Sequence, residues 1–281
     1  MNRYPTLGNF RLGQRLGKGS AGVVYEGYDQ ERLQPVAIKT IDSDCLGSPR
    51  GLMLRERLRR EARVLEGLYH PNIARVYAFR EEEGIPFLVM ELVRGETLAN
   101  RLRSGNLPDL ASRLGWVVGV LSGIAHVHGL GVVHRDLKPG NIVVPGDGSA
   151  VKVTDFGIAS TPEESEFSVT RLSGTPGYMA PEQLMGGLAD PRSDLFAIGV
   201  VLYELVIGQK PFPGESGSAI NHRLLHADPS PFPHLVASLP PRLLPILERA
   251  LAKRPGQRYA SASAFREDLE EVLSGIDYNA G

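Results

Sequence analysis

Residues 132–157 read VVHRDLKPGNIVVPGDGSAVKVTDFG. Val132-Val133, Ile142-Val143-Val144 and the alternating Val151 and Val153 have the β-branched pattern of short strands, and Pro145-Gly146-Asp147-Gly148 is turn chemistry. Folded as a hairpin, the stretch gathers Asp136, Asp155, Asn141 and Lys138 at one end of a sheet. Carboxylates and an amide are hard oxygen ligands suited to Mg2+, and a lysine beside them suits phosphate. The residues alone therefore point to a site that handles something phosphorylated.

The composition around this stretch removes several alternatives. A chain of 281 residues has room for two lobes or one large domain. Its 31 Lys+Arg balance 32 Asp+Glu, so no electrostatic footprint for nucleic acid or an anionic membrane surface is expected. The single cysteine, Cys45, can form neither an internal disulfide nor a zinc site alone, which favours a reducing compartment. Met1 to Pro5 lacks the apolar run of a secretory leader. The longest apolar stretch, Leu195 to Gly208, is too short to span a bilayer and contains Glu204, so it is expected to be a buried core helix. No membrane segment is expected.

Upstream, Phe10 to Tyr28 reads as two strands joined by Gly17-Lys18-Gly19-Ser20-Ala21-Gly22. Glycines in a hairpin need no ligand, so a plain turn competes with a phosphate-covering loop. The β-branched and aromatic Val23-Val24-Tyr25 predicts a strand after the third glycine, where a dinucleotide fold would need a helix. Lys39 ends the short strand Pro35 to Lys39. From Leu54 to Leu68, Leu54, Leu58, Leu65 and Leu68 form a stripe at helical spacing with Glu61 in its middle. Spacing leaves two readings open: Glu61 is buried and paired with Lys39, or it reaches water at the stripe's edge. Arg50, Arg55, Arg57, Arg59, Arg60 and Arg63 read as the solvated face of this helix.

His70-Pro71-Asn72 is expected to end the helix, and Ile73 to Phe79 and Pro86 to Leu92 to form two antiparallel strands. Val93 to Glu96 is expected to be a linker, because the chain before it is strand-rich and the chain after Thr97 largely helical. Leu114 to His128 reads as an apolar helix, and Ser193 to Ile207 as a helix with Asp194 in a capping position. Two amphipathic helices, between Leu239 and Leu273, flank Arg254 to Tyr259. The hydroxyl-rich run Ser160, Thr161, Ser165, Ser168, Thr170, Ser173 and Thr175 reads as a loop.

Taken in order, these pieces resemble a eukaryotic-like Ser/Thr protein kinase. The glycine loop extends to Val24 as G-x-G-x-x-G-x-V, and Val36-Ala37-Ile38-Lys39 is V-A-I-K. His134-Arg135-Asp136 with Asn141 is H-R-D-x-x-x-x-N, Asp155-Phe156-Gly157 is D-F-G, and Ala180-Pro181-Glu182 is A-P-E. Five short strings in this order and spacing are far more specific than any one of them. The resemblance covers Phe10 to Leu273 and implies an α+β, two-lobed kinase fold. It divides into a small antiparallel N-lobe with one main helix over 10–92, a hinge at 93–96, a mainly helical C-lobe over 97–274 and a tail at 275–281.

The resemblance also implies residue roles. Gly17, Gly19 and Gly22 would cover the phosphates of ATP, and Lys39, braced by Glu61, would hold them. Leu16, Val24, Ala37 and Val143 would enclose adenine, with backbone groups of Glu91 and Val93 at its edge and Met90 as gatekeeper. Asp155 and Asn141 would hold Mg2+, with Mn2+ as the alternative ion. Asp136 would accept or orient the attacking hydroxyl, and Lys138 would steady the γ-phosphoryl. Lys138 and Gly174-Thr175 match the Ser/Thr form, with Thr175 expected to bond Asp136 and Lys138.

Asp194 and Arg258 resemble structural positions of the family, Arg258 as partner of Glu182. Arg135 marks the subtype whose loop is ordered by phosphorylation, with Thr170, Ser168 and Ser173 the candidate sites. Gly140 departs from the acidic or small polar residue common there. Protein substrates, autophosphorylation in a homodimer, and a cytoplasmic location, alone or within a longer receptor, are implied. The style of the catalytic loop and of Gly174-Thr175-Pro176-Gly177-Tyr178-Met179 is similar to bacterial members. A catalytically inactive pseudokinase is disfavoured by the presence of Lys39, Glu61, Asp136, Asn141 and Asp155. A small-molecule kinase is disfavoured by Thr175 and A-P-E.

Overall fold

The computed structural model describes residues 6–19, 22–42, 44, 46–156, 177–230 and 239–279. The expectations for Ser20, Ala21, Cys45, Gly157, Gly174 and the hydroxyl-rich run from Ser160 to Thr175 lie outside the described residues. The chain divides into two compact units, the first running to Arg94 and the second opening at Gly95.

The first unit holds β1 (Thr6–Leu7), β2 (Phe10–Gly19), β3 (Gly22–Asp29), β4 (Gln34–Thr40), α1 (Pro49–Leu65), β5 (Val76–Glu82) and β6 (Ile85–Glu91). Its strands form one antiparallel sheet in the order β1-β2-β3-β4-β6-β5. Leu7, Leu12, Val36, Ile38, Phe87 and Val89 form a core cluster on the sheet. Phe10 closes onto Phe87 edge to face, their centroids 5.7 Å apart. Central β4 is buried from Val36 through Thr40, so its lysine is not a solvent-facing residue.

Helix α1 packs on β5 and β6. It begins earlier than the leucine stripe suggests. Ser48 caps it by accepting the Gly51 N–H at 3.1 Å, and Pro49 takes the first helical position, where its missing N–H costs nothing. Arg50 therefore lies on the helix. The helix also ends sooner, at Leu65, so Leu68 is buried from the loop beyond it and His70-Pro71-Asn72 terminates nothing. Leu54, Leu58, Ala62 and Leu65 are all buried, and full burial of each leucine contributes about 1.5–3 kcal/mol.

The second unit holds β7 (Gly95–Thr97), α2 (Leu98–Ser104), α3 (Leu110–Gly129), β8 (Ile142–Pro145), β9 (Lys152–Val153), α4 (Pro181–Leu184), α5 (Pro191–Ile207), α6 (Gly217–His226), α7 (Leu243–Ala250) and α8 (Ala262–Asn279). The three short strands form a sheet in the order β7-β8-β9. Part of the expected linker is therefore a strand, with Gly95 paired to Pro145 and Glu96 to Val144. Val132-Val133, expected as a strand, is irregular. The Val132 N–H donates to Val127 O at 3.2 Å, in the last turn of α3, rather than to a ladder. Helix α8 continues through most of the expected tail.

Helix α3 packs against α5 and α8. It is the one described helix long and apolar enough to cross a bilayer by length and composition, with a mean hydropathy of 1.4. Leu114, Val117, Leu121, Ile124 and Val127 are buried along one of its stripes, as in a core helix. Asp190, not Asp194, caps α5. Its carboxylate accepts from Arg192 N at 2.7 Å, and Ser193 Oγ returns the bond by accepting from Asp190 N at 3.2 Å.

The glycine hairpin yields a stability test. Gly22 has φ +134°, and a Cβ there would lie 2.2 Å from Thr40 O, whereas a Cβ at Gly17 meets no described atom within 4 Å. Gly22→Ala is expected to destabilise the fold by about 1–3 kcal/mol. Gly17→Ala is expected to change it by less than about 0.5 kcal/mol. Urea midpoints of the two variants check this, and equal effects would contradict it.

Candidate active site

In the first unit the open question about Glu61 resolves into a buried pair. Lys39 Nζ lies 3.0 and 2.9 Å from the two Glu61 carboxylate oxygens. Lys39 is 4% and Glu61 3% exposed, so neither charge has water as an alternative partner. β4 sets the lysine and α1 the carboxylate, on the same stripe as Leu54 and Leu58. Lys39→Ala would remove both of these bonds from a buried carboxylate, so the lysine serves the core as well as any ligand.

The remaining candidates of this unit cluster by strand register. Ala37 and Met90 are cross-strand neighbours and both are buried. Gly17 pairs with Val24, and Gly19 with Gly22. Leu16, beside register shifts in β2, is 48% exposed. The Glu91 N–H donates to Arg75 O at 2.8 Å, and Glu91 pairs with Val36 of β4 in the sheet register. Because no described protein atom fills the space at Gly17, its missing side chain fits close approach by a ligand better than packing.

In the second unit the geometry starts at Asp194. This carboxylate, 1% exposed, accepts the backbone N–H groups of His134 and Arg135, both at 2.8 Å, and the Nε2–H of His128 at 2.8 Å. The bonds hold Arg135 at φ +69°. A left-handed backbone costs a non-glycine residue about 1–3 kcal/mol, which the buried carboxylate offsets. His134 is fully buried. Its Nδ1 accepts from Asp136 N at 3.3 Å and its Nε2 donates to Thr154 O at 3.2 Å, which fixes one neutral tautomer. Burial drives its pKa below the ordinary histidine range, although Asp194, Asp136 and Asp155 all pull the other way. The ring lies against Phe156, 4.4 Å between centroids.

This backbone delivers the reactive groups. Lys138 Nζ is 2.6 Å from Asp136 Oδ2. Asn141, on a 3-10 turn at Pro139–Asn141, directs Nδ2 to Asp136 O at 2.8 Å, Asp136 Oδ2 at 3.2 Å and Asp155 O at 3.3 Å. With its nitrogen so committed, Oδ1 is the atom Asn141 can offer a cation. Thr154 N bonds Asn141 O at 2.8 Å, which draws Asp155, itself at φ +49°, beside Asn141. An amide oxygen and a carboxylate fit a hard divalent cation better than a soft one. Asp136 opens onto a small cleft shared with Arg135, Tyr178, Met179 and Gln183.

The wall of that cleft is anchored by Glu182. Arg258, with its side chain 0% exposed, grips both Glu182 oxygens at 2.8 Å and spends its other N–H groups on the carbonyls of Ala252, Lys253 and Arg192. Ser193 Oγ donates to Glu182 at 2.7 Å. Burial pushes the Glu182 carboxyl up, but Arg258 and Ser193 outweigh it, and the net pKa is lowered. His128, Ser193 and the anchoring function of Asp194 were not visible in the sequence. The bonds of His128 and Asp194, and that of Ser193 to Glu182, join residues distant in the chain, and the local Asp190–Ser193 capping spacing does not reveal the last.

A fold of this kind, with this set of residues, defines a protein kinase domain, and the family's sequence model matches residues 10–269, so the chain belongs to that family. Among similar proteins, a probable serine/threonine-protein kinase of Streptomyces coelicolor is 37% identical over 277 residues, covering 95% of this chain and 40% of that protein. PknB of Bifidobacterium longum is 34% identical over 280 residues, with 95% and 40% covered. PknL of Mycobacterium tuberculosis is 37% identical over 264 residues, with 93% and 65% covered. The chain thus spans 40% to 65% of the length of these relatives. The family implies ATP as a substrate and a divalent metal ion as a cofactor.

The neutral His134 gives a pH prediction. Its folded pKa is depressed, so the unfolded chain takes up this proton first as pH falls below about 6.5. Stability from this group is therefore present above that pH and lost below it, by at most about 1.4 kcal/mol per pH unit. Urea midpoints at about pH 7 and pH 5 should fall less in His134→Gln than in the native protein. An equal fall would contradict a neutral His134.

Proposed function

We propose that this chain is the catalytic domain of an ATP-dependent Ser/Thr protein kinase that uses Mg2+, with Mn2+ as a substitute. The observation that carries the reading is the triangle of Asp136, Lys138 and Asn141, with Asp155 tied in through Asn141. Asp136 orients a serine or threonine hydroxyl and takes up its proton. Lys138, already on Asp136, moves its charge toward the γ-phosphoryl as it transfers. Asn141 Oδ1 and Asp155 hold the metal, which when bound supplies charge neutralisation of the phosphates. Lys39 binds the α- and β-phosphates and Glu61 keeps it pointed. Gly17, Gly19 and Gly22 admit the phosphates to the backbone. In the first unit Leu16, Val24, Ala37 and Met90 serve adenine, with the backbone of Glu91 and Val93 at its edge, and in the second unit Val143 is the residue for the same ring. Such a transfer rests on positioning and charge rather than covalent catalysis.

The names of the bacterial relatives support the Ser/Thr assignment, as does Lys138. The substrates are proteins, and the domain phosphorylates its own loop in trans within a homodimer, at Thr170, Ser168 or Ser173, giving Arg135 a phosphate partner. A cytoplasmic location, where ATP and Mg2+ are at hand, fits this reading, and the greater length of the relatives fits a cytoplasmic part of a larger receptor.

Purified protein with labelled ATP and Mg2+ tests this. Transfer to itself and to a generic protein substrate is expected, reduced about 10²–10⁴-fold by Asp136→Asn. The paired variant Lys39→Met/Glu61→Gln, which leaves no stranded charge, should remain folded and lose turnover. Transfer only to a sugar or aminoglycoside would favour a small-molecule kinase. No transfer above the Asp136→Asn level would leave a pseudokinase.

A further inference from the structure

Lys253, just beyond α7, is half-buried and makes an unusual set of contacts for a lysine. Its Nζ donates to Leu224 O, in the last turn of α6, at 2.6 Å. It also lies 3.8 Å from the centroid of the Phe212 ring. Phe212 is stacked nearly parallel with Phe196, 6.2 Å apart and 5° between planes, and the Arg258 guanidinium lies 4.8 Å from the Phe196 centroid. Lys253 and Arg258 thus cap a stacked phenyl pair with a cation on each ring. The two are joined again through the backbone, where Arg258 Nη2 donates to Lys253 O at 2.9 Å.

Both ends of this chain of contacts reach the 177–183 segment that walls the cleft of Asp136. Arg258 holds Glu182 at the start of α4, directly after the cleft-lining Tyr178 and Met179. Helix α6 abuts the same wall, since a Cβ at Gly177 would sit 3.5 Å from Ile220 Cγ2. The wall therefore rests on two supports, α6 and the Glu182–Arg258 pair, and Lys253 bonds to both.

We propose that Lys253 is a positioning residue for the protein acceptor: it locks α6 and the Glu182-bearing segment into one support, and so sets affinity for the protein substrate without touching ATP. The proposal rests on reading the Asp136 cleft as the acceptor site. An apolar side chain would fill this space at less cost, because an ammonium is desolvated against a phenyl ring. What only a cation supplies is a charge-assisted bond to a helix C-terminal carbonyl, favoured by the helix dipole. Burial brings the amine down to about 8, with Asp228 opposing that shift and Arg258 adding to it. Arg223 and His226 lie in the last turn of α6, and Lys210, on the Phe212 segment, is engaged over the Tyr178 ring at 5.1 Å. As pH passes about 8, loss of the ammonium weakens the bond to Leu224 and the contact with Phe212 together.

The test is steady-state kinetics on Lys253→Met and Lys253→Arg, with a protein substrate and, separately, with water as acceptor. Lys253→Met is expected to raise KM for the protein about tenfold, as for loss of one charge-assisted hydrogen bond. Its kcat, KM for ATP and ATP hydrolysis should stay within about twofold. Lys253→Arg should restore KM and abolish the rise in protein KM expected of the native enzyme as pH passes about 8. Hydrogen exchange of α6 amides gives a readout free of turnover: faster in Lys253→Met, restored in Lys253→Arg. Unchanged protein KM, or kcat and both KM values shifting together, would overturn the positioning role. Unchanged α6 protection would overturn the tie itself. Native protein that hydrolyses ATP but transfers nothing to protein would overturn the acceptor reading, and the exchange result would still report on the tie.

Discussion

A buried carboxylate must find donors, and in the second unit this requirement at Asp194 organises the irregular segment that carries Asp136. Its oxygens take the N–H groups of His134 and Arg135 and the ring of His128. An unpaired carboxylate at 1% exposure would cost several kcal/mol, which exceeds the strain of holding Arg135 in a left-handed backbone. The strain buys a specific direction for the next residue, Asp136. Neutral His134 then pins Asp136 N on one side and Thr154 O on the other, so Asp136 and the Thr154–Asp155 pair are referenced to one buried ring.

The first unit repeats the logic with a different pair. Lys39 and Glu61 sit on buried surfaces of β4 and α1, where the pairing offsets the cost of removing both charges from water. Well-packed apolar residues of similar volume would serve stability as well or better. That the two charges stand there is consistent with a cation kept for a phosphorylated ligand. The Glu182–Arg258 pair is a third case, with every guanidinium N–H assigned to a partner. In each case the fold tolerates a buried charge where a side chain must hold one orientation.

Much of this was legible in the chain. The leucine stripe, the β-branched strands and the spacing of Asp136, Asn141 and Asp155 identified the two-unit fold and its main polar residues. Local signals misled where a residue answers to a distant partner. Val132-Val133 has strand composition, but the backbone that follows is claimed by Asp194, some sixty residues on. Gly95-Glu96 has linker composition, yet it completes a sheet with Val144 and Pro145 because Gly95 permits the close approach. Asp194 reads as a cap by position, but Asp190 takes that role and frees Asp194 for the core. The Lys39–Glu61 pair could not be decided from spacing, which specifies a helical face but not what faces it.

The central claim is that the acceptor side of the site is built by Asp194 and works by holding Asp136 in place. The most direct measurement is kcat for phosphoryl transfer together with ATP affinity in Asp194→Asn, a near-isosteric change that sets an NH2 against the His134 or Arg135 N–H. The account predicts kcat reduced by about 10²-fold or more, the scale of a misplaced catalytic group, with ATP affinity within about threefold of the native value. Native kcat in a folded Asp194→Asn protein would contradict it.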